Sequence, residues 1–328
     1  MAQFPTAAGL RPVDPVLKGR LIGSYNSLDS YIADKVLPTI TGVAKTGTLV
    51  TLGQASSYGD IEDDLSRASG GEYHQEKGAQ LGSTTWSCKE YGTEVRIDLG
   101  DIDDFAEIGN LKWVQSQSAL QNLKIWQERR MASMLFSTSN FASTTLVGGD
   151  KWSASTSNPV ANLITAAKSV ANGGQTPNTI ILGPDAYYTA STNAALATFA
   201  SANTDRNFLS IEALQAIFSR ICMSDVEVFV AKALYNTANQ GQTASGANIW
   251  GDMIWLGYLN RESAGTATGG GQNVQMADPS AAVLLVQKDL ESFEYDLPSH
   301  NSVVVRHSHR VAEKITNAAC GYIINDIT

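Results

Sequence analysis

The stretch DIDDFAEIGNLKWVQSQSALQNLKIWQERRMASMLF, residues 101–136, carries the strongest structural signal in the sequence. Its apolar residues recur at helical spacings, which is typical of one long amphipathic helix. Asp101 is predicted to be the N-cap, because a short polar side chain there can accept a backbone hydrogen bond. About 33 residues at 1.5 Å each predict roughly 50 Å of helix, which indicates a spine for the protein. The apolar positions are Phe105, Ile108, Trp113, Leu120, Leu123, Met131 and Met134.

The residues before this helix, 45–98, differ in composition. Two alternating stretches, Gly47–Leu52 and Thr84–Val95, indicate strands that enclose a polar, glycine-rich centre. That centre contains GDIEDD (59–64) and SGGEYHQEKGAQLG (69–82), which have too few apolar residues to build a core. An isolated hairpin is marginal in water, so this one is predicted to project from the body and to lean on a partner.

The N-terminal residues are predicted to form an arm. Pro5, Pro12 and Pro15 interrupt any regular element in residues 1–20. Apolar residues in Gly19–Leu37 then have helical spacing, and Pro38 provides a stop.

Helices and strands alternate after residue 157, which indicates an α/β or α+β second domain. Helices are predicted at Pro159–Ala171, at Asp185–Phe199, and at Ser210–Ile221 with Ser210 at its start. Strands are predicted at Thr179–Leu182, Val226–Ala231, Ile254–Tyr258, Val303–His309 and Ala319–Asp326. The glycine-rich GTATGGGQ, residues 265–272, is predicted to be a flexible loop.

Charge and cysteine content exclude several classes of protein. Only 17% of the residues are charged, against about 25% in typical soluble domains, which fits a surface largely covered by neighbours. The net charge of −9 argues against a dedicated nucleic-acid-binding protein, whose affinity depends on clustered Lys and Arg. Cys88, Cys222 and Cys320 are far apart and odd in number, so free thiols and assembly in a reducing cytoplasm are expected. Neither a signal peptide nor a membrane span is predicted.

Candidate metal ligands each have a structural interpretation that we favour. His307 and His309 would share one face of a strand and could bind a metal, but no third ligand accompanies them in the sequence. Hydrogen-bonded or exposed histidines are therefore expected. The acidic cluster within residues 60–64 lacks the spacing of a calcium-binding loop and is predicted to be a solvated loop face. Its members are Asp60, Glu62, Asp63 and Asp64.

Motifs for catalysis are absent from the sequence. GTATGGGQ lacks the Gly-Lys-Ser/Thr ending of a phosphate-binding loop, and no GxSxG elbow or convincing Cys–His pair suggests a nucleophile. Trp113 and Trp126 on the long helix are predicted to be core or interface anchors. No catalytic, cofactor-binding or metal-binding residue is predicted, and the chain is not expected to be an enzyme.

Several motifs occur in an order that resembles one viral family. VDPVLKG (13–19) and ADKVLPTI (33–40) are similar to its N-terminal arm, and YGTEVRID (91–98) to the return strand of its extended loop. IDLGDIDDF (97–105) leads into a helix that ends WQERRMASMLF (126–136), as the family's spine helix does. TPNTIILGPDAYYTA (176–190), EVFVAKALYNT (227–237) and NIWGDMIWLGYL (248–259) resemble its axial domain, and ITNAACGYIINDI (315–327) its final strand. The chain thus resembles the major capsid proteins of tailed bacteriophages over residues 13–326.

This resemblance implies an α+β chain with the Hong Kong 97-like capsid fold. It further implies an N-terminal arm (1–44), an extended loop (45–98), a peripheral domain with the spine helix (99–157), an axial domain (158–295), and a return segment to the peripheral and axial domains (296–328). The chain would assemble as hexamers and pentamers into an icosahedral shell in the host cytoplasm. The shell would become part of the virion and enclose double-stranded DNA without reading its sequence.

The resemblance also implies partners. The chain itself is the first, and a separate scaffolding protein and a portal are expected, because no long N-terminal scaffolding extension is seen. A decoration protein is a further candidate. Some family members cross-link a lysine of the extended loop to a neighbour, but the surroundings of Lys77 do not indicate this chemistry, and no cross-link is predicted.

Two other interpretations are kept. An encapsulin-like nanocompartment shell would have the same fold and would enclose a protein cargo. An α/β hydrolase would require a nucleophile and a base, for which the sequence offers no candidates.

Overall fold

The structure, a computed structural model, describes residues 11–12, 30–52, 66, 69–71, 81–104, 111–200, 208–239, 241–261, 265–266, 274–277 and 279–328. The strands of this described part are β1 (Arg11–Pro12), β2 (Thr39–Thr41), β3 (Thr46–Leu52), β4 (Leu81–Ser87), β5 (Lys89–Asp98), β6 (Ala142–Thr145), β7 (Thr179–Leu182), β8 (Glu227–Val230), β9 (Leu234–Asn236), β10 (Gly246–Asn248), β11 (Ile254–Gly257), β12 (Gly265–Thr266), β13 (Val274–Ala277), β14 (Ala282–Leu297), β15 (Ser302–Ile315) and β16 (Gly321–Asn325). The α-helices are α1 (Ala33–Val36), α2 (Leu99–Asp104), α3 (Leu111–Leu135), α4 (Pro159–Ala171), α5 (Pro184–Thr192), α6 (Ala194–Ala200) and α7 (Ile211–Cys222). Short 3₁₀ helices occupy Gly148–Asp150, Pro298–His300 and Ala318–Cys320.

The hairpin of β14 and β15 forms the middle of the largest sheet, whose order is β12-β2-β14-β15-β5. β15 is antiparallel to both β14 and β5, and β2 is parallel to β14. β1 also pairs with β14, opposite Phe293 and Glu294. The pairing of β14 with β15 shifts register between Val286 and Glu291, which is a β-bulge and bends the hairpin.

A second sheet, of order β6-β16-β11-β7-β8, separates two hydrophobic clusters. Its side chains alternate between the two faces, as they do along any strand. Ile180 packs with helices α4 to α7 on one face, whereas Ile181 and Trp255 pack with α1 and the end of α3 on the other. All residues of β7 and β11 are buried, which explains why both strands are continuous apolar runs in the sequence.

Helix α3 is the predicted spine and contacts β5, β15 and α1. Leu120, Leu123 and Met131 are buried, as predicted, and Trp113 and Met134 are half-buried. The helix has 25 residues and is therefore about 37 Å long. Phe105 and Ile108 lie outside the described residues. Among the residues that the structure does describe, no helix is both long and apolar enough to cross a membrane.

The predicted start of the long helix at Asp101 is wrong. The described helical segment before α3, α2, begins at Leu99 and contains Asp101 in its first turn. Asp98 has the role that was predicted for Asp101, because its Oδ1 accepts a hydrogen bond from the Gly100 amide at 2.8 Å. The strand β5 extends to Asp98, so the turn into the helix comes earlier than the apolar spacing indicated.

The predicted helix Gly19–Leu37 is also wrong in its described part. Only α1 is α-helical there, and Ile32 just before it has φ −110° and ψ −14°. The Ala33 amide donates to a side chain of α3 instead of to a carbonyl of a preceding helical turn. The predicted stop at Pro38 is confirmed, since Leu37 is already extended.

Two other predicted elements are each divided at one residue. The strand predicted at Thr84–Val95 is two strands, β4 and β5, because the chain passes from one sheet to another at the buried Cys88. The helix predicted at Asp185–Phe199 is two helices, α5 and α6. Asn193 lies between them and its Oδ1 accepts from the Ala195 amide at 2.9 Å, which starts the second helix.

The other predicted elements of the second half are confirmed to within a few residues, except that the strand predicted at Val303–His309 is β15, which extends six residues further, to Ile315. Helix α4 and strand β7 have the predicted bounds, and Ser210 caps α7 by accepting from the Ala213 amide at 3.3 Å. The first two residues of the predicted loop 265–272 form β12, and residues 267–272 lie outside the described part. The domain boundaries remain predictions, and strand β14 passes through the boundary drawn at residue 295.

Gly183 explains part of the motif LGPDAY. It lies between β7 and α5, and a Cβ atom there would overlap the carbonyl oxygen of Gly251. Its amide donates to the Met253 carbonyl at 3.1 Å, so two backbone segments are in direct contact. Pro184 follows at the first helical turn, where its missing N–H costs nothing.

Gly183→Ala is expected to lower the free energy of unfolding by about 2 kcal/mol, because the two backbone segments must move apart. Urea denaturation followed by circular dichroism measures the change. Gly246→Ala is the matched control, since its added Cβ would lie 3.8 Å from Leu234, an ordinary contact. Equal losses in the two variants would contradict this explanation.

Candidate functional site

The hairpin of β3 and β4 is the first candidate surface for contact with other chains. The two strands are antiparallel from Thr46↔Ser87 to Leu52↔Leu81, as the alternating pattern predicted. Its base is anchored in the body, since Leu49 and Trp86 are buried in one cluster with residues of β14. The Trp86 indole donates to the Ala44 carbonyl at 3.0 Å, which fixes the anchor.

The far end of this hairpin is exposed. Leu81 is 62% exposed and the described residues 69–71 are exposed too. β13 pairs with β3, whereas no strand of the described part pairs with the outer edge of β4. β4 has no charged residue and no proline, so its free edge lacks the usual protection against pairing with another chain.

The second candidate is a joint that holds the end of the predicted arm. Glu128 of α3 is fully buried, and its carboxyl accepts from the Ala33 amide at 2.6 Å and from the Trp250 indole at 2.7 Å. One side chain therefore connects the spine, the later part of the predicted arm, and the loop before β11.

Electrostatics at this joint are unusual for a carboxyl group. Burial, with a smaller contribution from the negative charge of Asp34, raises the pKa of Glu128 to about 7 against the opposing effect of the N–H donors. Asp34 itself accepts from Gln127 at 2.5 Å and pairs with Lys124. The ammonium group of Lys124 is thus paired with the carboxylate of Asp34 and not with the carboxyl group of Glu128.

The third candidate is a groove of about 750 Å³ between α3 and the hairpin of β9 and β10. Trp126 is 57% exposed at its side, so it is not a core residue, and its role as an interface anchor remains a prediction. The Arg129 guanidinium lies 5.1 Å from the centre of the Trp126 ring and 4.7 Å from that of Tyr235. The groove therefore combines an exposed aromatic side chain with a cation held in a fixed position.

Of the two histidines considered as metal ligands, His307 is hydrogen-bonded as expected. His309 is buried, and its Nε2 has no hydrogen-bond partner among the described residues, so the expectation of a hydrogen-bonded or exposed side chain is wrong for it. His307 is fully buried between sheet and spine, with Ser292 Oγ 2.7 Å from Nδ1 and Ser116 Oγ 3.0 Å from Nε2. Burial, together with the positive charges of Arg130 and Lys124, lowers the pKa of His309 to about 4. Both histidines are on one face of β15, as predicted. In the described part of the chain no group of His, Cys, Asp or Glu could hold a metal ion.

The cysteines are all buried free thiols, in line with their spacing in the sequence. Burial raises the pKa of Cys222 to about 12 and that of Cys320 to about 11, and it also raises the pKa of Cys88. Protonated, buried thiols are unreactive, so these residues serve as small apolar side chains.

Some predicted residues lie outside the described part, namely Lys77 and the acidic cluster Asp60, Glu62, Asp63 and Asp64. Conversely, the sequence analysis missed Glu128 and the pairing of Arg129 with Tyr235. Glu128 carries a signal, since it is a lone acid one turn before Met131 and Ala132 on the buried side of the spine. Tyr235 carries none, because its contact with Arg129 joins residues more than 100 positions apart.

Comparison with known proteins identifies the fold. No family model and no curated protein matches the chain. A phage-related protein from Bordetella bronchiseptica has a TM-score of 0.66 at 18% identity, with 97% of this chain and 98% of that chain covered. The capsid of the cyanophage P-SCSP1u has a TM-score of 0.55 at 12% identity, with 99% of both chains covered. A virus-like particle from Pyrococcus furiosus has a TM-score of 0.50 at 14% identity, with 94% of both covered.

These likenesses extend over almost the whole chain, so they include the spine, the hairpin of β3 and β4, and both sheets. At such low identity they establish architecture alone. The chain has the α+β, Hong Kong 97-like fold of tailed-phage capsid proteins.

Proposed function

We propose that this chain is the major capsid protein of a tailed bacteriophage, which self-assembles as hexamers and pentamers into the icosahedral head shell. The observation that carries the proposal is the match to the cyanophage capsid over 99% of both chains. The proposed role is structural and not enzymatic.

The exposed features of the subunit support self-assembly. The hairpin of β3 and β4 has a buried base and an exposed end, which suits an element that becomes stable by lying on a neighbour. The groove beside Trp126 offers the residue types that dominate protein interfaces. Repeated contacts of moderate strength, closed by symmetry, hold a shell together.

Other partners follow from the proposed role. A scaffolding protein and a portal would direct assembly in the host cytoplasm, and a decoration protein is a further candidate. The shell would enclose double-stranded DNA without reading its sequence, since the chain has a net charge of −9 and no basic surface dedicated to nucleic acid is expected.

An encapsulin-like nanocompartment is the second candidate, favoured by the match to the virus-like particle from Pyrococcus furiosus. The two candidates differ in contents, because a nanocompartment encloses a protein and a phage head encloses DNA. Expression beside the neighbouring genes of its source, followed by analysis of nuclease-protected DNA and of co-purified protein, separates them. The hydrolase interpretation has no observation in its favour.

Negative-stain electron microscopy and light scattering of the recombinant chain test the proposal. Shells, tubes or rings of five and six subunits are expected. A monomer of 35.0 kDa that persists after coexpression with the scaffold gene would refute it.

Deletion of Gly70–Gly82 is expected to prevent the formation of regular shells and to leave the melting temperature of the subunit nearly unchanged. The deleted residues include the exposed Leu81, whereas Leu49 and Trp86 in the anchored base are retained. Electron microscopy and differential scanning calorimetry measure the two effects. Regular shells from the deletion variant would show that this hairpin is not an assembly element.

A further inference from the structure

Glu128 is a buried carboxyl group that is not paired with a cation. Its side chain is 0% exposed, and its two oxygens accept from the Ala33 amide at 2.6 Å and from the Trp250 indole at 2.7 Å. Among the described residues, no basic side chain lies within salt-bridge distance of it. Two neutral N–H donors offset only part of the cost of removing an anion from water, so the closed joint favours the protonated acid.

The charged groups near this joint do not offset the remaining cost. They are Asp34 on α1, Lys124 and Arg130 on α3, Asp252 before β11 and His309 on β15. Asp34 is a second negative charge and opposes ionisation of Glu128. Lys124 pairs with Asp34, and Arg130 pairs with a different carboxylate. His309, whose pKa is lowered to about 4, is neutral above pH 5 and supplies no positive charge.

The segment that Glu128 holds has few other polar contacts with the spine. Helix α1 is a single turn, and Ile32 at its N-terminus makes no side-chain capping bond. Asp34 contacts the spine through a side chain that is 48% exposed, where water can replace the partner. The remaining attachment is apolar, through the buried residues Ile32 and Val36. A short segment held in this way can open without unfolding of the whole subunit.

We propose that Glu128 is a proton-operated latch, which holds residues 30–37 on the spine when it is protonated and releases them when it loses its proton. In the released state the carboxylate of Glu128 is in contact with water. The apolar contacts of Ile32 and Val36 keep the latch closed most of the time, and the pH sets how often it opens. Strand β2, just after the segment, remains paired with β14 and limits the opening to these residues.

The sign of the pH effect follows from linkage. The pKa of Glu128 is about 7 in the closed state and near 4.5 once the group is in water. The closed state therefore binds the proton more tightly, and opening becomes more frequent as the pH rises. The opening equilibrium should increase by about 70-fold between pH 5 and pH 8 and level off above pH 7.

Hydrogen exchange of the intact chain, followed by mass spectrometry from pH 5 to pH 8, tests the proposal. After correction for the intrinsic exchange rate, residues 30–37 are expected to show the 70-fold increase in opening. Helix α4 is the internal reference, since its apolar face lies in a different cluster. Its amides are expected to exchange more slowly, and low concentrations of urea should accelerate their exchange but not that of residues 30–37.

Three variants identify the group that titrates. Glu128→Gln cannot ionise and is expected to abolish the increase, whereas Glu291→Gln, at an exposed carboxylate, should retain it. Asp34→Asn removes a negative charge and frees Lys124, so the increase should move to lower pH. A purely structural role of Glu128 would not produce this displacement.

Two results would overturn the latch. The first is an opening of residues 30–37 that does not change with pH in the unmodified chain. The second is exchange of residues 30–37 at the same rate and with the same urea dependence as α4, because the segment would then open only when the subunit unfolds. Neither result bears on the proposed capsid role, which assembly of the chain tests separately.

Discussion

A chain carrying Leu123→Asp is expected to lose about 4 kcal/mol of its free energy of unfolding, or to fail to fold. Leu123 is 2% exposed on the side of α3 that contacts β5 and β15. An aspartate there would either be buried as an unpaired charge or force the helix away from the sheet. Urea denaturation of the purified chain measures the loss.

The matched control is Val114→Asp, on the same helix at a position that is 54% exposed. This change is expected to alter the free energy of unfolding by no more than about 0.5 kcal/mol, since the new charge remains in water. If both variants were equally stable, α3 would not be the packed spine of the subunit.

Glu128→Ala is expected to lower the free energy of unfolding by about 3 kcal/mol at pH 5. The variant leaves the Ala33 amide and the Trp250 indole without their acceptor in a buried site. The variant also loses the hydrogen bond that connects the later part of the predicted arm to the spine. Denaturation at fixed pH measures the effect, and Glu291→Ala, at a side chain that is 40% exposed, is the control.

The penalty of Glu128→Ala should shrink as the pH rises to 8. The pKa of Glu128 is about 7 in the folded chain and near 4.5 in the unfolded chain. Between these values the folded state binds the proton and the unfolded state does not, so the native chain loses stability with rising pH. The difference in pKa corresponds to about 3 kcal/mol, present below pH 4.5 and lost by about pH 7. A penalty that is constant from pH 5 to pH 8 would contradict the elevated pKa.

The spacing of apolar residues predicted those elements that are buried along one face or along their whole length. α4 and β7 have their predicted bounds because α4 presents one apolar face and β7 is fully buried, with three consecutive apolar residues after Thr179. The predictions were wrong where a side chain from a distant element decides the local structure. Glu128 captures the Ala33 amide from 95 positions away, and no local pattern around Ala33 indicates this.

The candidate site was predictable only in part. The composition of residues 45–98 predicted a projecting hairpin, and strands β3 and β4 confirm its two sides. Trp126 was predicted as a core or interface anchor, but the groove beside it depends on β9 and β10, which bring Tyr235 to Arg129. A contact between elements so far apart in the chain follows from tertiary packing, which a single sequence does not display.

The position of β16 also determines when the subunit can be completed during translation. In its sheet β16 lies between β6 and β11, yet the ribosome makes it after every other strand of that sheet. Until Gly321–Asn325 leave the exit tunnel, β6 and β11 each have an unpaired edge. The sheet between the two hydrophobic clusters then lacks one strand. A polypeptide released before Gly321 therefore has no finished sheet. Such products are left to proteases and chaperones, so synthesis itself acts as quality control over which chains can enter an assembly.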